Sequence, residues 1–135
     1  LAPGSRFKAF DTPLGKIAIV ICWDTAFPES IRCSALEGAD IVLVPIWGGN
    51  EEQVRMAARA NGVYVVTSSF DMKCMIVNPL GEVLAETFKN LGTGVATAEI
   101  DLDDDTRQPY AGNFRSYMKR LRRPETYGPI TDSVK

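Results

Sequence analysis

An α/β fold is what this sequence predicts, and three observations carry that expectation. Residues 16–21, 41–46 and 63–68 are continuous apolar runs rich in Ile and Val, with the length and composition of strands buried on both faces. The stretches between them carry helix start and stop signals. A helical crossover between successive buried strands favours parallel pairing, so the pattern reads as strand, helix, strand, helix, strand in one sheet.

The first run, residues 16–21, is bounded by Pro13 and Gly15 and delivers Cys22 at its C-terminal end; the residues before it read as a loop feeding that strand. After the turn 23–27, Pro28 suits the first helical turn, Glu29 suits the positive end of the helix dipole, and Gly38 closes the helix. The second run leads into Trp47-Gly48-Gly49-Asn50, which turns the chain. Asn50 and Gln53 have capping-box spacing, with Glu51 and Glu52 in the first turn of a helix expected to reach about Asn61-Gly62. Beyond the third run, residues 74–77 and 82–85 flank Asn78-Pro79-Leu80-Gly81. That tetrapeptide fits a type I turn and predicts a hairpin. Residues 94–100 alternate with period two and predict one more strand towards a sheet edge. From Asp101 the chain turns polar, with Asp103, Asp104 and Asp105, then Lys119, Arg120, Arg122 and Arg123, and reads as a tail rather than core.

With 135 residues, 45% hydrophobic content, 24% charged content and a net charge of −2, one soluble globular domain accounts for the chain. Nothing in this balance points to nucleic acid, and the Lys119 to Arg123 cluster sits in a net acidic chain without interleaved aromatics. No apolar run approaches the roughly 18 residues of a membrane span. Residues 1–4 have neither the basic nor the apolar region of a leader, so a cytoplasmic location is expected; the start at Leu1 rather than Met reads as that of a fragment. Cys22, Cys33 and Cys74 do not have the spacing of a disulfide framework or of a metal site, and reduced thiols are the expectation. No metal or cofactor is implied. The absence of any His removes the Ser-His-Asp triad, the Cys-His dyad and every His-containing zinc site.

Of the thiols, Cys22 occupies the position where α/β sheets place reactive groups, at the end of a buried strand and just before a helix start. Unpaired backbone N–H groups of such a turn stabilise a thiolate and donate to an oxyanion. On location alone a buried core cysteine is an equal alternative.

The ordered blocks around it are more specific. Residues 10–24, from Phe10-Asp11-Thr12-Pro13 to Cys22-Trp23-Asp24, then Phe27-Pro28-Glu29, Gly38-Ala39-Asp40 and Pro45-Ile46-Trp47, resemble the nucleophile region of the nitrilase superfamily of carbon-nitrogen hydrolases. The resemblance continues through residues 61–66, 76–84 and 99–101, with a familiar tail at residues 123–128. It implies half of a nitrilase-like αββα sandwich, incomplete on its own. Residues 1–102 would form the C-terminal part of the hydrolase domain and residues 103–135 a polar extension.

The resemblance also implies hydrolysis of a nonpeptide C–N bond in a small amide, carbamoyl or nitrile substrate. Cys22 would be the nucleophile, with a Glu base and a Lys that lie upstream of the nucleophile strand in the family and map onto no residue here. The isolated chain is then expected to be inactive, its apolar sheet face uncovered, and the full-length protein a homo-oligomer. The backbone N–H of Trp23 is a candidate oxyanion donor, and its indole is either pocket wall or packing; Trp47 is a candidate pocket residue or a structural part of a Gly-rich turn. Glu29 reads as a dipole-compensating carboxylate, and Cys33 and Cys74 as packing residues. An N-acyltransferase using the same acyl-enzyme, and a non-catalytic binding module on the same fold, are the alternatives. Two departures from the family pattern stand out: residues 55–61 lack the Glu of the usual Arg-Ala-Arg-Ala-x-Glu-Asn segment and look shortened, and Lys73-Cys74 replaces a small residue.

Overall fold

The structure is a computed structural model that describes residues 4–87, 94–104, 107–108, 110 and 112–131. Six strands form one sheet in sequence order: β1 (Ala9–Thr12), β2 (Gly15–Ile19), β3 (Ile41–Ile46), β4 (Tyr64–Ser69), β5 (Met75–Val77) and β6 (Val83–Glu86). The three runs expected as buried strands are its centre, and β2–β3 and β3–β4 pair in parallel. Helix α1 (Pro28–Leu36) makes the first crossover and α2 (Glu51–Asn61) the second.

The local chemistry explains each boundary. Pro28 opens α1, and the Ser30 hydroxyl donates back to Phe27 O (2.7 Å), which fixes where that helix begins. The Asn50 side chain accepts the Gln53 N–H (3.0 Å) at the start of α2, and Gly62 ends the helix with φ of 63°. Only half of the expected capping box forms, because Gln53 Nε2 donates to Thr25 O (2.8 Å) in the loop before α1. Two arginines of α2 bind the hairpin turn that joins β5 to β6: Arg55 Nε donates to Gly81 O (2.9 Å) and Arg59 Nη1 to Leu80 O (3.3 Å). Gly81 is required there, since its φ is 81° and a Cβ would lie 2.9 Å from Arg55 O.

One face of the sheet is core. Ala18, Val42, Val65 and Val77 form a buried row across four paired strands, packed with Ile31 and Ala35 of α1 and Val54 and Ala58 of α2. The next row in register, Ile19, Leu43, Val66, Ile76 and Ala85, points the other way. There Ile19 is 51% exposed, and Leu43, Val66 and Ile76 are only half-buried. An apolar sheet face without a covering layer is what half of a two-sheet sandwich leaves bare.

Three expectations are corrected. The segment before β2 is not a loop: residues 9–12 pair antiparallel with β2 across Pro13-Leu14, and the Thr12 hydroxyl closes the turn on Gly15 O (2.6 Å). Residues 94–100 form no strand, since no described strand lies beside them to accept their hydrogen bonds, although their burial still alternates. Downstream, Leu102 lies against Gly15 at the start of β2, and Tyr64 Oη donates to Asp101 O (3.2 Å).

Nor is the polar C-terminal segment all tail. After the short pair β7 (Arg107–Gln108) and β8 (Gly112–Asn113), helix α3 (Phe114–Arg120) buries Phe114, and α4 (Gly128–Thr131) follows. Arg115 clasps three parts of the body. Its guanidinium donates to Gly62 O (3.2 Å), Leu102 O (2.9 Å) and the Asp40 carboxylate, whose other oxygen accepts the Lys16 N–H (3.0 Å). The run of basic residues concealed this clasp, because charge at the sequence level does not show which cation is paired. None of the helices among the described residues is long and apolar enough to cross a membrane.

Arg115→Ala should cost about 2–3 kcal/mol in urea denaturation, since it leaves one oxygen of Asp40 and two carbonyls without the donor they have here. It should also raise hydrogen exchange in α3. Ile19→Ser combined with Leu43→Ser should lower dye binding and self-association of the chain while far-UV circular dichroism stays unchanged.

Candidate active site

The β2 ladder ends at Ile19, although Val20 N–H still reaches Leu43 O (3.0 Å). The chain then leaves the sheet, and Cys22 takes a φ of 45°. It is the one non-glycine residue with positive φ among the described residues. Such a conformation costs on the order of 1–3 kcal/mol and persists where the surroundings enforce it. Here a 3-10 turn spanning Cys22–Ala26 does so: Asp24 N–H donates to Ile21 O (3.0 Å), and the Thr25 hydroxyl donates to Cys22 O (2.7 Å). A sharp, strained turn at a strand end presents a side chain above the sheet edge, as nucleophile elbows do.

Cys22 is half-buried at the C-terminal edge of the parallel strands. α1 starts at Pro28 as expected, held there by the Ser30 hydroxyl on Phe27 O. The next backbone N–H along the chain is that of Trp23, inside the 3-10 turn.

Trp23 is 75% exposed and Trp47 73% exposed, so neither indole is core packing. Trp47 directly follows Ile46, the last residue of β3, and β3 lies beside β2. Phe70 was not singled out in the sequence. It directly follows Ser69, the last residue of β4, and its ring meets Trp47 at a centroid distance of 5.3 Å with the planes tilted by 55°. The signal for it was available: an aromatic one step past a buried parallel strand falls on the same edge as Cys22 and Trp47.

The other residues weighed in the sequence lie away from Cys22 in the chain. Glu29 sits in the first turn of α1 and lines an 870 Å³ groove between α1, α2 and α3, to which neither Cys22 nor Trp47 contributes. Lys73 donates to Glu86 Oε1 (2.7 Å), and that hydrogen bond holds its ammonium above the usual lysine range. Cys74 is half-buried and accepts the Ser69 N–H (3.2 Å), whereas Cys33, expected to be a packing residue, is exposed on α1. No group of three or more His, Cys, Asp or Glu among the described residues is placed to hold a metal ion.

The family model for carbon-nitrogen hydrolase matches residues 1–110. The chain belongs to that family. It is 33% identical over 139 residues to a probable nitrilase of Schizosaccharomyces pombe, an alignment covering 92% of this chain and 50% of the relative. The chain spans about half the length of the curated relatives it matches. A carbon-nitrogen hydrolase from Helicobacter pylori G27 has the same fold, with a TM-score of 0.80 and 24% identity over 98% of this chain and 55% of the other. A mutant of the amidase from Nesterenkonia sp. AN1 aligns with a TM-score of 0.73 and 20% identity over 93% of this chain and 48% of the other. That mutant carries the acetamide moiety of fluoroacetamide covalently on its active-site cysteine. This carbon-nitrogen hydrolase chain is therefore half of a nitrilase-like αββα sandwich.

The strain at Cys22 makes a prediction about stability. Cys22→Gly should be about 1 kcal/mol more stable than Cys22→Ala, because glycine adopts the left-handed conformation without penalty. Denaturation midpoints of the two variants compare them directly, and equal midpoints would remove the case for a strained turn.

Proposed function

We propose that the protein hydrolyses a nonpeptide carbon-nitrogen bond in a small amide, carbamoyl or nitrile substrate, with Cys22 as the nucleophile. The observation that carries this is the strained turn, which singles out Cys22 from the other two thiols and sets it at the C-terminal edge of the sheet, inside the segment matched by the family. The modified cysteine of the Nesterenkonia amidase, on a chain of the same fold, supports the same role.

In an amide, the Cys22 thiolate attacks the carbonyl carbon and the electron pair moves to oxygen. The Trp23 N–H donates to that oxyanion. Collapse of the tetrahedral species expels the nitrogen, which takes a proton, and leaves a thioester. Water then adds to the thioester, releasing the acid and restoring the thiol. The proton transfers need a base, and the oxyanion gains from a cation. The family resemblance assigns these to a Glu and a Lys upstream of the nucleophile strand, in the half of the sandwich that would also cover Ile19 and Leu43. On this reading residues 1–135 alone do not turn over. The family resemblance implies a homo-oligomer for the full-length protein.

Amide turnover by the full-length protein, followed as ammonia release, should fall about a thousandfold or more in Cys22→Ala. Mass spectrometry should find the acyl group on the peptide containing Cys22. Unchanged turnover in that variant would end the nucleophile assignment, and Cys22-dependent turnover by residues 1–135 alone would end the claim that the other half is required.

A further inference from the structure

The turn that carries Cys22 is closed by a side chain, and that side chain is held from another element. A cysteine with a φ of 45° relaxes unless its surroundings oppose it. The Asp24 N–H on Ile21 O (3.0 Å) is a backbone bond and does not depend on the side chains of the turn. The other bond does. The Thr25 hydroxyl donates to the carbonyl of Cys22 itself (2.7 Å), a reach of three residues back that Ser and Thr side chains make.

Thr25 is fixed from outside the turn. Its carbonyl accepts Gln53 Nε2 (2.8 Å), 28 positions along the chain in the first turn of α2. Gln53 is located by its own N–H, bonded to Asn50 Oδ1 (3.0 Å), and α2 is located by Val54 and Ala58, which pack in the core. Two hydrogen bonds that share Thr25 thus connect a packed helix to the carbonyl of Cys22. Bonds that hold a strained residue have an unusual energetic signature. Removing one costs its own contribution but releases the strain, so stability changes little while the position of the residue is lost. Position matters more to a nucleophile than to a packing residue, since a misplacement of about 1 Å can cost about a hundredfold in rate.

We infer that Thr25 and Gln53 are positioning residues for Cys22: the Thr25 hydroxyl holds the thiol in its attacking orientation, and Gln53 holds Thr25 where it can do so. This rests on Cys22 being the nucleophile.

The test reads the thiol directly. The full-length protein is alkylated with iodoacetamide, and peptide mass spectrometry gives the rate at Cys22 relative to that at Cys33, which is exposed on α1 outside the turn. Thr25→Val keeps the branched shape and removes the donor. It should lower that ratio about threefold or more, with a urea midpoint close to that of the parent protein. Thr25→Ser should keep the parent ratio. Gln53→Met, similar in length but without the amide, should lower the ratio in the same direction. Thr25→Val combined with Gln53→Met should lower it no further than Thr25→Val alone, because both act through one turn. A ratio unmoved by Thr25→Val, a ratio lowered as much by Thr25→Ser, or a double variant whose loss is the product of the two single losses would each overturn the inference. So would a Thr25→Val midpoint that falls along with the ratio, which would leave Thr25 a residue of the fold alone. Alkylation needs no turnover, so if Cys22→Ala kept its amidase activity the nucleophile assignment would fall while the brace on Cys22 stood.

Discussion

Parallel pairing of β2, β3 and β4 is the constraint on which the rest depends. The register aligns the ends of β3 and β4, Ile46 with Ser69, while β2 stops at Ile19, level with Leu43, and leaves the sheet towards the same edge. Every residue assigned to the site leaves the sheet from that edge: Cys22 and Trp23 after β2, Trp47 after β3, Phe70 after β4. A slip of one residue in any pair would turn the inner row of Ala18, Val42 and Val65 outward and move the site with it. The site is thus held by the same backbone ladder that forms the core.

The opposite edge is locked by charge rather than by apolar packing alone. Asp40 is bonded to the Lys16 N–H and to Arg115, so it joins the start of β2, the start of β3 and helix α3. The two ends of the sheet therefore have different duties. The N-terminal end is closed by a partly buried ion pair and chain crossings, and the C-terminal end is left to strained turns and exposed aromatics. Division of this kind is the usual way α/β sheets reconcile stability with a reactive site.

The central strands were legible in the sequence because a doubly buried parallel strand has an unmistakable pattern, a run of Ile and Val closed by Gly or Pro. Helix α2 was legible to its caps, and the place of Cys22 just past a strand end was legible from the apolar run before it. What escaped had physical reasons. Residues 9–12 alternate Ala, Phe, Asp, Thr, too short and too polar on one side to outweigh the Pro13 that follows them. Residues 94–100 have a strand's alternation, but a strand exists only with a partner to share its hydrogen bonds. The clasp by Arg115 spans 75 residues to Asp40, and pairing over that separation leaves no local mark.

The bond from Gln53 to Thr25 O has a consequence for which amino acids position 53 accepts. In an isolated helix, glutamate would serve a capping box as well as glutamine does. Here the side chain faces a carbonyl oxygen, and a carboxylate in that place would set two acceptors and a negative charge against each other. The amide is needed for its donor. A choice between two nearly isosteric residues on α2 thus reaches the loop that carries Thr25, whose hydroxyl closes the turn at Cys22, and the chemistry of one strand end is guarded from the crossover that follows the next.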